Sequence, residues 1–201
     1  MATINSMTAL LVDQLKDIYD AENRLTKAIP KLARKSANEE LRSALEEHLQ
    51  ETEEHVTRLE QAFGMLGQKA KAKACAGMRG IIDEGSEHAG EDYEDDGLRD
   101  AMIIGSAQRA EHYEIAAYGT AIAHARLLQQ DDVVSLLELT LEEEKAADRK
   151  LTDIAESVVN IEAAEGGDHE EENMSRRRPS GRRQTAGRQR ATAAASTRRR
   201  R

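Results

Sequence analysis

Apolar side chains recur every three or four residues along most of the first 160 positions, the spacing of one face of an α-helix. Leu11, Leu15, Ile18, Leu25, Ile29 and Leu32 set a first helix over about Met7 to Ala33, with Pro30 predicting a kink or an early stop. Ser36-Ala37-Asn38 reads as a turn, and Asn38 as the cap of a second helix opened by Glu39 and Glu40. That helix carries Leu41, Leu45, Leu59 and Ala62 inward and ends near Leu66, with Gly64 and Gly67 as punctuation. A long connection follows to about Gly97, with a short helix over Cys75 to Glu87. A third helix runs from Leu98 to about Leu128, a turn spans Gln129 to Asp132, and a fourth helix continues to about Asn160. Two helical hairpins joined by a long crossover predict an all-α, antiparallel four-helix bundle with a short fifth helix in the crossover. The domain reading is a bundle over residues 1–160, followed over 161–201 by an acidic linker and a disordered tail.

Each of the four stripes is interrupted by acid at its middle. The first reads Leu15, Ile18, Glu22, Leu25; the second Leu45, His48, Glu51, His55, Leu59. The third reads Ala107, Glu111, Glu114, Tyr118, and the fourth Leu141, Glu144, Asp148, Leu151. Depth agrees within each hairpin. Glu22 lies 14 residues before Ser36 and Glu51 15 after it; Glu114 lies 16 before Gln130 and Glu144 14 after it. Converging buried carboxylates need protonation, basic partners or cations, because desolvation and mutual repulsion both oppose them. The stripes offer His48 and His55 there but no Lys or Arg, so divalent ions held by carboxylate and imidazole are the economical solution. The bland alternative is a solvated seam or a subunit contact. With 38 Asp and Glu in 201 residues, acids fall on any stripe often, and Glu142-Glu143-Glu144 all but guarantees one inward acid.

Charge divides the chain in two. The segment from Arg176 onward holds 11 Arg and no acid, leaving 18 basic against 38 acidic residues before it. Arg176, Arg177, Arg178, Arg182, Arg183, Arg188 and Arg190, without aromatic neighbours, suit non-specific phosphate contact with DNA; a solvated tail is the alternative. Trp is absent, and no apolar run reaches the length of a membrane span. The N-terminal segment lacks the pattern of a signal peptide, and Cys75 is the single cysteine, which together suggest a cytoplasmic protein. Cys75 has Lys71 and Lys73 nearby, which would lower its pKa, but it is assigned no role. His88, His112, His124 and His169 fall off the stripes and are expected at the surface. Tyr19 and Tyr118, a turn from Glu22 and Glu114, read first as packing and second as an electron relay.

Four stretches resemble the YciE/YciF family of ferritin-like stress proteins. They are Leu15-Lys16-Asp17-Ile18-Tyr19-Asp20-Ala21-Glu22, His48-Leu49-Gln50-Glu51-Thr52, Lys73-Ala74-Cys75-Ala76-Gly77-Met78, and Leu141-Glu142-Glu143-Glu144-Lys145-Ala146-Ala147-Asp148. The family is similar to rubrerythrin and bacterioferritin. The resemblance implies a ferritin-like fold, a homodimer and a dinuclear centre of two Fe or two Mn, with ferroxidase or peroxide-consuming activity. Mapped residue by residue, it implies Glu51 and Glu114 as bridges, with Glu22, Glu111, Glu144, Asp148 and His55 or Glu54 as terminal ligands. Glu54 stands where relatives have the histidine of Glu-x-x-His, and Asp148 stands where they have another histidine. A non-enzymatic scaffold with a vestigial site is the rival function.

Overall fold

The structure, a computed structural model, describes residues 4–165, and the Arg-rich segment lies outside the described residues. The described residues are all helical apart from turns and connections. Helix α1 spans Met7–Lys35, α2 Glu39–Met65, α3 Ala76–His88, α4 Asp96–Leu127 and α5 Asp131–Ile154. The last of these continues through a π-helical turn at Ala155–Val159 and ordinary helix to residue 165, so residues 161–165, expected as linker, are helical.

Local chemistry explains the boundaries. Ser6 caps α1 by accepting from the amide of Ala9, and Asn38 caps α2 by accepting from those of Glu40 and Leu41. Pro30 does not stop α1, which runs on to Lys35. Helix α2 ends as Gly67 takes φ +65°, a left-handed turn that only glycine adopts freely, with the amide of Gln68 reaching the carbonyl of Phe63. Cys75 caps α3 through its sulfur, 3.3 Å from the amide of Met78.

Helix α1 packs on α2 and α4, and α5 packs on the other sides of the same two helices. Every neighbouring pair is antiparallel: Gln14 meets His124 and Glu22 meets Tyr118 across α1 and α4, while Glu47 meets Lys150 and His55 meets Glu143 across α2 and α5. The crossover therefore climbs the full length of the bundle. Its helix α3 lies against α1 and α4, and the strap before it is tied to α1 by Lys73 Nζ on Asp13 (2.6 Å) and the amide of Cys75 on Asp20 (2.8 Å).

The sequence reading missed a clamp at the top of the bundle. Asp100, 2 % exposed near the start of α4, accepts from the amides of Ala37 (3.0 Å) and Asn38 (2.6 Å) in the α1–α2 turn. It fixes one hairpin against the other. Charge-assisted bonds of this kind contribute more than neutral ones, so Asp100→Ala is expected to cost about 1–3 kcal/mol. That lowers the melting temperature by about 2–12 °C in thermal denaturation. An unchanged melting temperature would show that the clamp is incidental.

The core is in two pieces. One cluster gathers Leu25, Ile29, Leu41, Leu45, Ile103, Leu151 and Ile154 toward the α1–α2 turn. The other gathers Leu11, Leu15, Leu59, Phe63, Ile122, Val133 and Leu137 at the opposite end. On α2, α4 and α5 the stretch between the two contains the acid or histidine of the interrupted stripe, and on α1 Glu22 follows Ala21 where the clusters meet.

Candidate metal centre

Glu22, His48, His55, Glu111, Glu114 and Glu144 occupy this middle layer, all buried. They come from all four long helices. Helical periodicity puts them there, since each continues an apolar stripe facing the bundle axis.

Two groups form within the layer. Glu22, His55 and Glu144 present ligand atoms within 4.8 Å of one another, and so do His48, Glu111 and Glu144. Glu144 belongs to both. Its Oε1 lies 3.0 Å from His55 Nδ1, and its Oε2 lies 3.6 Å from His48 Nε2. Glu22 Oε1 stands 3.6 Å from His55 Nδ1, and Glu111 Oε1 3.3 Å from His48 Nε2. One carboxylate thus faces two histidines with different oxygens, the disposition of a bridge between two cations.

The far nitrogen of each histidine is also engaged. His55 Nε2 lies 2.9 Å from Glu143 Oε2, and His48 Nδ1 lies 3.2 Å from Glu51 Oε2. Arg58 in turn grips Glu143 with both guanidinium nitrogens. Carboxylates behind the imidazoles fix each ring's tautomer and leave the inner nitrogen free to coordinate. The assignment of protons follows from these partners.

The electrostatics are those of an uncompensated acid nest. Burial, then the charge of Glu144, pushes Glu111 well above the usual carboxylate range. Burial, with Glu22 and Glu144 nearby, does the same to Glu114. Glu22 is raised by burial despite the nearby imidazole of His55. Glu144 feels burial too, but the closeness of His55 and the positive charges of both histidines win, and it is lowered. His55 is disfavoured as a cation by burial, yet the adjacent carboxylates of Glu144 and Glu22 carry it to about 10. Tyr118 donates to Glu22, and burial pushes its phenol well up.

Six carboxylate oxygens in this layer are buried without any hydrogen-bond partner: Glu22 Oε2, Glu111 Oε2, and both oxygens of Glu114 and of Glu144. Buried acceptors are ordinarily satisfied. A set of unpaired, converging carboxylate oxygens with two inward imidazole nitrogens is chemically a donor set for hard or borderline divalent ions.

Not every expected ligand sits in the nest. Glu54 has a side chain 71 % exposed and pairs with Arg58, so it points out of the bundle while His55, one residue on, points in. Glu51, expected as a bridge, is 46 % exposed at its side chain and stands behind His48. Asp148 accepts from Gln108 (3.1 Å) and lies 3.4 Å from His112 Nε2 at the edge of the bundle, in neither group. Glu114 belongs to neither group but is fully buried beside both. His48, on the stripe but outside the expected ligand set, is a member of the second group. The signal for it is present: His48 and His55 are seven residues apart, two helical turns on one face. Tyr19 turns away to Glu60 (2.7 Å) and Phe63, so of the two tyrosines only Tyr118 touches the nest.

A family model described as Domain of unknown function (DUF892) matches residues 6–164. The chain belongs to the DUF892 family. Protein YciF of Escherichia coli is 43 % identical to this DUF892 chain over 155 residues, covering 77 % of it and 93 % of YciF. The crystal structure of the E. coli stress protein YciF matches with a TM-score of 0.74 at 42 % identity, over 78 % of this chain and 98 % of that one. YcfI from Rhodopseudomonas palustris, for which a structural role has been suggested, matches with a TM-score of 0.72 at 46 % identity, over 74 % and 94 % of the two chains. A Xanthomonas campestris protein at 20 % identity shares the fold, with a TM-score of 0.61. These likenesses bear out the expected ferritin-like bundle.

Cys75 is poorly placed to act as a nucleophile in this DUF892 chain. It is buried, its sulfur lies 2.9 Å from the hydroxyl of Tyr113, and Tyr113 donates to Asp17 (2.6 Å). Burial raises its thiol pKa, and Lys73, expected to lower it, is occupied by Asp13. Among the other histidines, His112 is exposed and His124 is half-buried against Gln14; His169 lies outside the described residues. No helix among the described residues is long and apolar enough to cross a membrane.

Proposed function

We propose that the chain binds two divalent metal ions, iron or manganese, in its central layer and uses them for redox chemistry with dioxygen or peroxide. The observation that carries this is the set of six buried, unpartnered carboxylate oxygens converging with two inward imidazole nitrogens. His55, Glu22 and Glu144 would hold one ion; His48, Glu111 and Glu144 the other. Glu114 stands ready as a further ligand to either.

Bound iron or manganese would supply electrons one at a time to the oxidant. The protein's own part is to hold the pair and keep the layer dry. Tyr118 donates to Glu22 and fixes which oxygen of that carboxylate remains free. Glu143 and Glu51 hold the two imidazoles in coordinating orientation, and Arg58 keeps Glu143 in place.

The test is the metal content of protein prepared with ample iron or manganese, followed by oxidation of added ferrous iron by dioxygen and by peroxide. About two ions per chain and oxidation above the protein-free rate are expected. Metal near zero under those conditions defeats the reading. Full metal content with no oxidation in either arm leaves a metal-stabilised scaffold, the function that fits the structural role suggested for YcfI.

Arg58 supplies a second check. Removing groups behind a metal-ligating histidine typically weakens affinity 10–100-fold. Arg58→Ala is therefore expected to lower the affinity of the His55 half by about tenfold and leave the His48 half within twofold. Metal titration of the variant separates the two halves, and equal weakening of both would show that Arg58 acts through general stability.

A further inference from the structure

A cavity of about 220 Å³ opens between α1, α3 and α4, beside the metal layer. Leu25, Ile29, Leu45, Ile81, Ile82 and Ala107 wall it. Its floor is His48 and Glu111, the two residues that share Glu144 in one metal group. Lys31 and Lys35, both exposed, stand at its rim, and Lys35 Nζ is held there by the carbonyl of Ala89 at 2.5 Å. From Leu25 to Lys35 the helix rises by about 15 Å, so floor and rim are well separated.

Two further features mark this space as built rather than left over. Ser106, 5 % exposed, lines the wall with a hydroxyl that has no hydrogen-bond partner. Opposite it stands Gly85, where an added Cβ would come 3.2 Å from Ser106 Cβ. Absence of a side chain at Gly85 keeps the two helices close there while leaving Ser106 facing the opening.

We propose that the cavity binds a short aliphatic carboxylate, its chain lying toward His48 and Glu111 and its carboxylate on Lys31 and Lys35. The apolar wall excludes a charged body. The rim presents two ammonium groups, while the one lining acid, Glu111, lies at the floor. The reverse orientation would set a carboxylate against Glu111 and its acidic neighbours. A dry apolar cavity of about 150 Å³ accepts a benzene ring, so this one suits a chain on the order of six to eight carbons. The proposal extends the metal reading by naming what can lie beside the centre, and its test does not depend on metal.

The experiment is calorimetric titration of the full chain with sodium octanoate and with 1-octanol, each with and without manganese. Saturable binding of octanoate, one per chain, is expected. Lys31→Ala with Lys35→Ala should weaken octanoate about five- to tenfold and 1-octanol less than twofold. Ala107→Phe should abolish binding of both. Ile82→Trp at the half-buried wall gives the same blockade should Ala107→Phe fail to fold. The proposal is overturned by absence of saturable octanoate binding, by equal effects of the lysine changes on acid and alcohol, or by undiminished binding to a folded blocked variant. A chain that takes up manganese but not octanoate loses this proposal alone; one that binds octanoate but no metal loses the metal reading alone.

Discussion

Replacing Glu144 with alanine will empty both halves of the centre together. Its Oε1 faces His55 and its Oε2 faces His48, so no other residue belongs to both groups. Without it each half keeps one carboxylate and one imidazole of its own, with Glu114 alone left to complete either, too few for two tight divalent sites in a dry layer. Glu111→Ala removes a ligand from the His48 half only, and His55→Ala from the other only. Metal per chain, measured by plasma mass spectrometry after loading and desalting, should fall from about two to near zero in Glu144→Ala and to about one in each of the others. The sharing of Glu144 is refuted if its alanine variant retains one full ion.

Glu114→Gln should make the metal-free protein more stable while costing it most of its response to metal. Glu114 is fully buried, both its oxygens are unpartnered, and burial with neighbouring acids raises its pKa well above the usual carboxylate range. The sign follows from that direction. A raised carboxyl favours the fold while protonated, fully so below about 4.5, and the benefit is lost as pH rises through the higher folded value. At pH 8 the wild-type fold therefore bears a burden that the neutral amide lacks. Relief of a buried, unpaired charge is expected to be worth about 2 kcal/mol, a rise of about 4–8 °C in melting temperature. The advantage should shrink toward pH 4.5. With metal at a thousandfold above its dissociation constant the wild type gains about 4 kcal/mol, and the variant should gain well under half of it. Scanning calorimetry between pH 5 and 8, with chelator and then with manganese, checks both parts. A metal-free Glu114→Gln that melts at or below the wild type at pH 8 contradicts the account.

Most of the bundle was legible because each helix follows a single period. The Asn38 cap, the α1–α2 turn and the short helix after Cys75 were local signals, and all appear within a residue or two of the expected places. The register between hairpins was not legible, since nothing local links Glu22 to Tyr118 or Asp100 to Ala37. Asp100 in particular is one acid among several at a helix start, and only the fold sets it under another helix's turn. Within the site, interrupted stripes located Glu22, Glu111, Glu114, Glu144 and His55 correctly in the layer. Three expected ligands, Glu51, Glu54 and Asp148, stand outside the nest. Glu54 neighbours His55, and a step of 100° carries it to solvent beside Arg58. Glu143, given no role by the sequence, neighbours Glu144, and the same step puts it behind His55. The family spacing falls on Glu51, whereas His48 is the residue that shares the inward face with His55.

The division of the core has a consequence for how the molecule comes apart. Grease at one end of the bundle does not touch grease at the other; between them lies a belt of acids that repel when bare. Ions there would act as rivets across all four long helices, so that two weakly joined ends open and close as one. Stripped of them, the ends have separate reasons to stay folded, and the Glu22–Glu144 seam is where amide protons should first exchange with solvent.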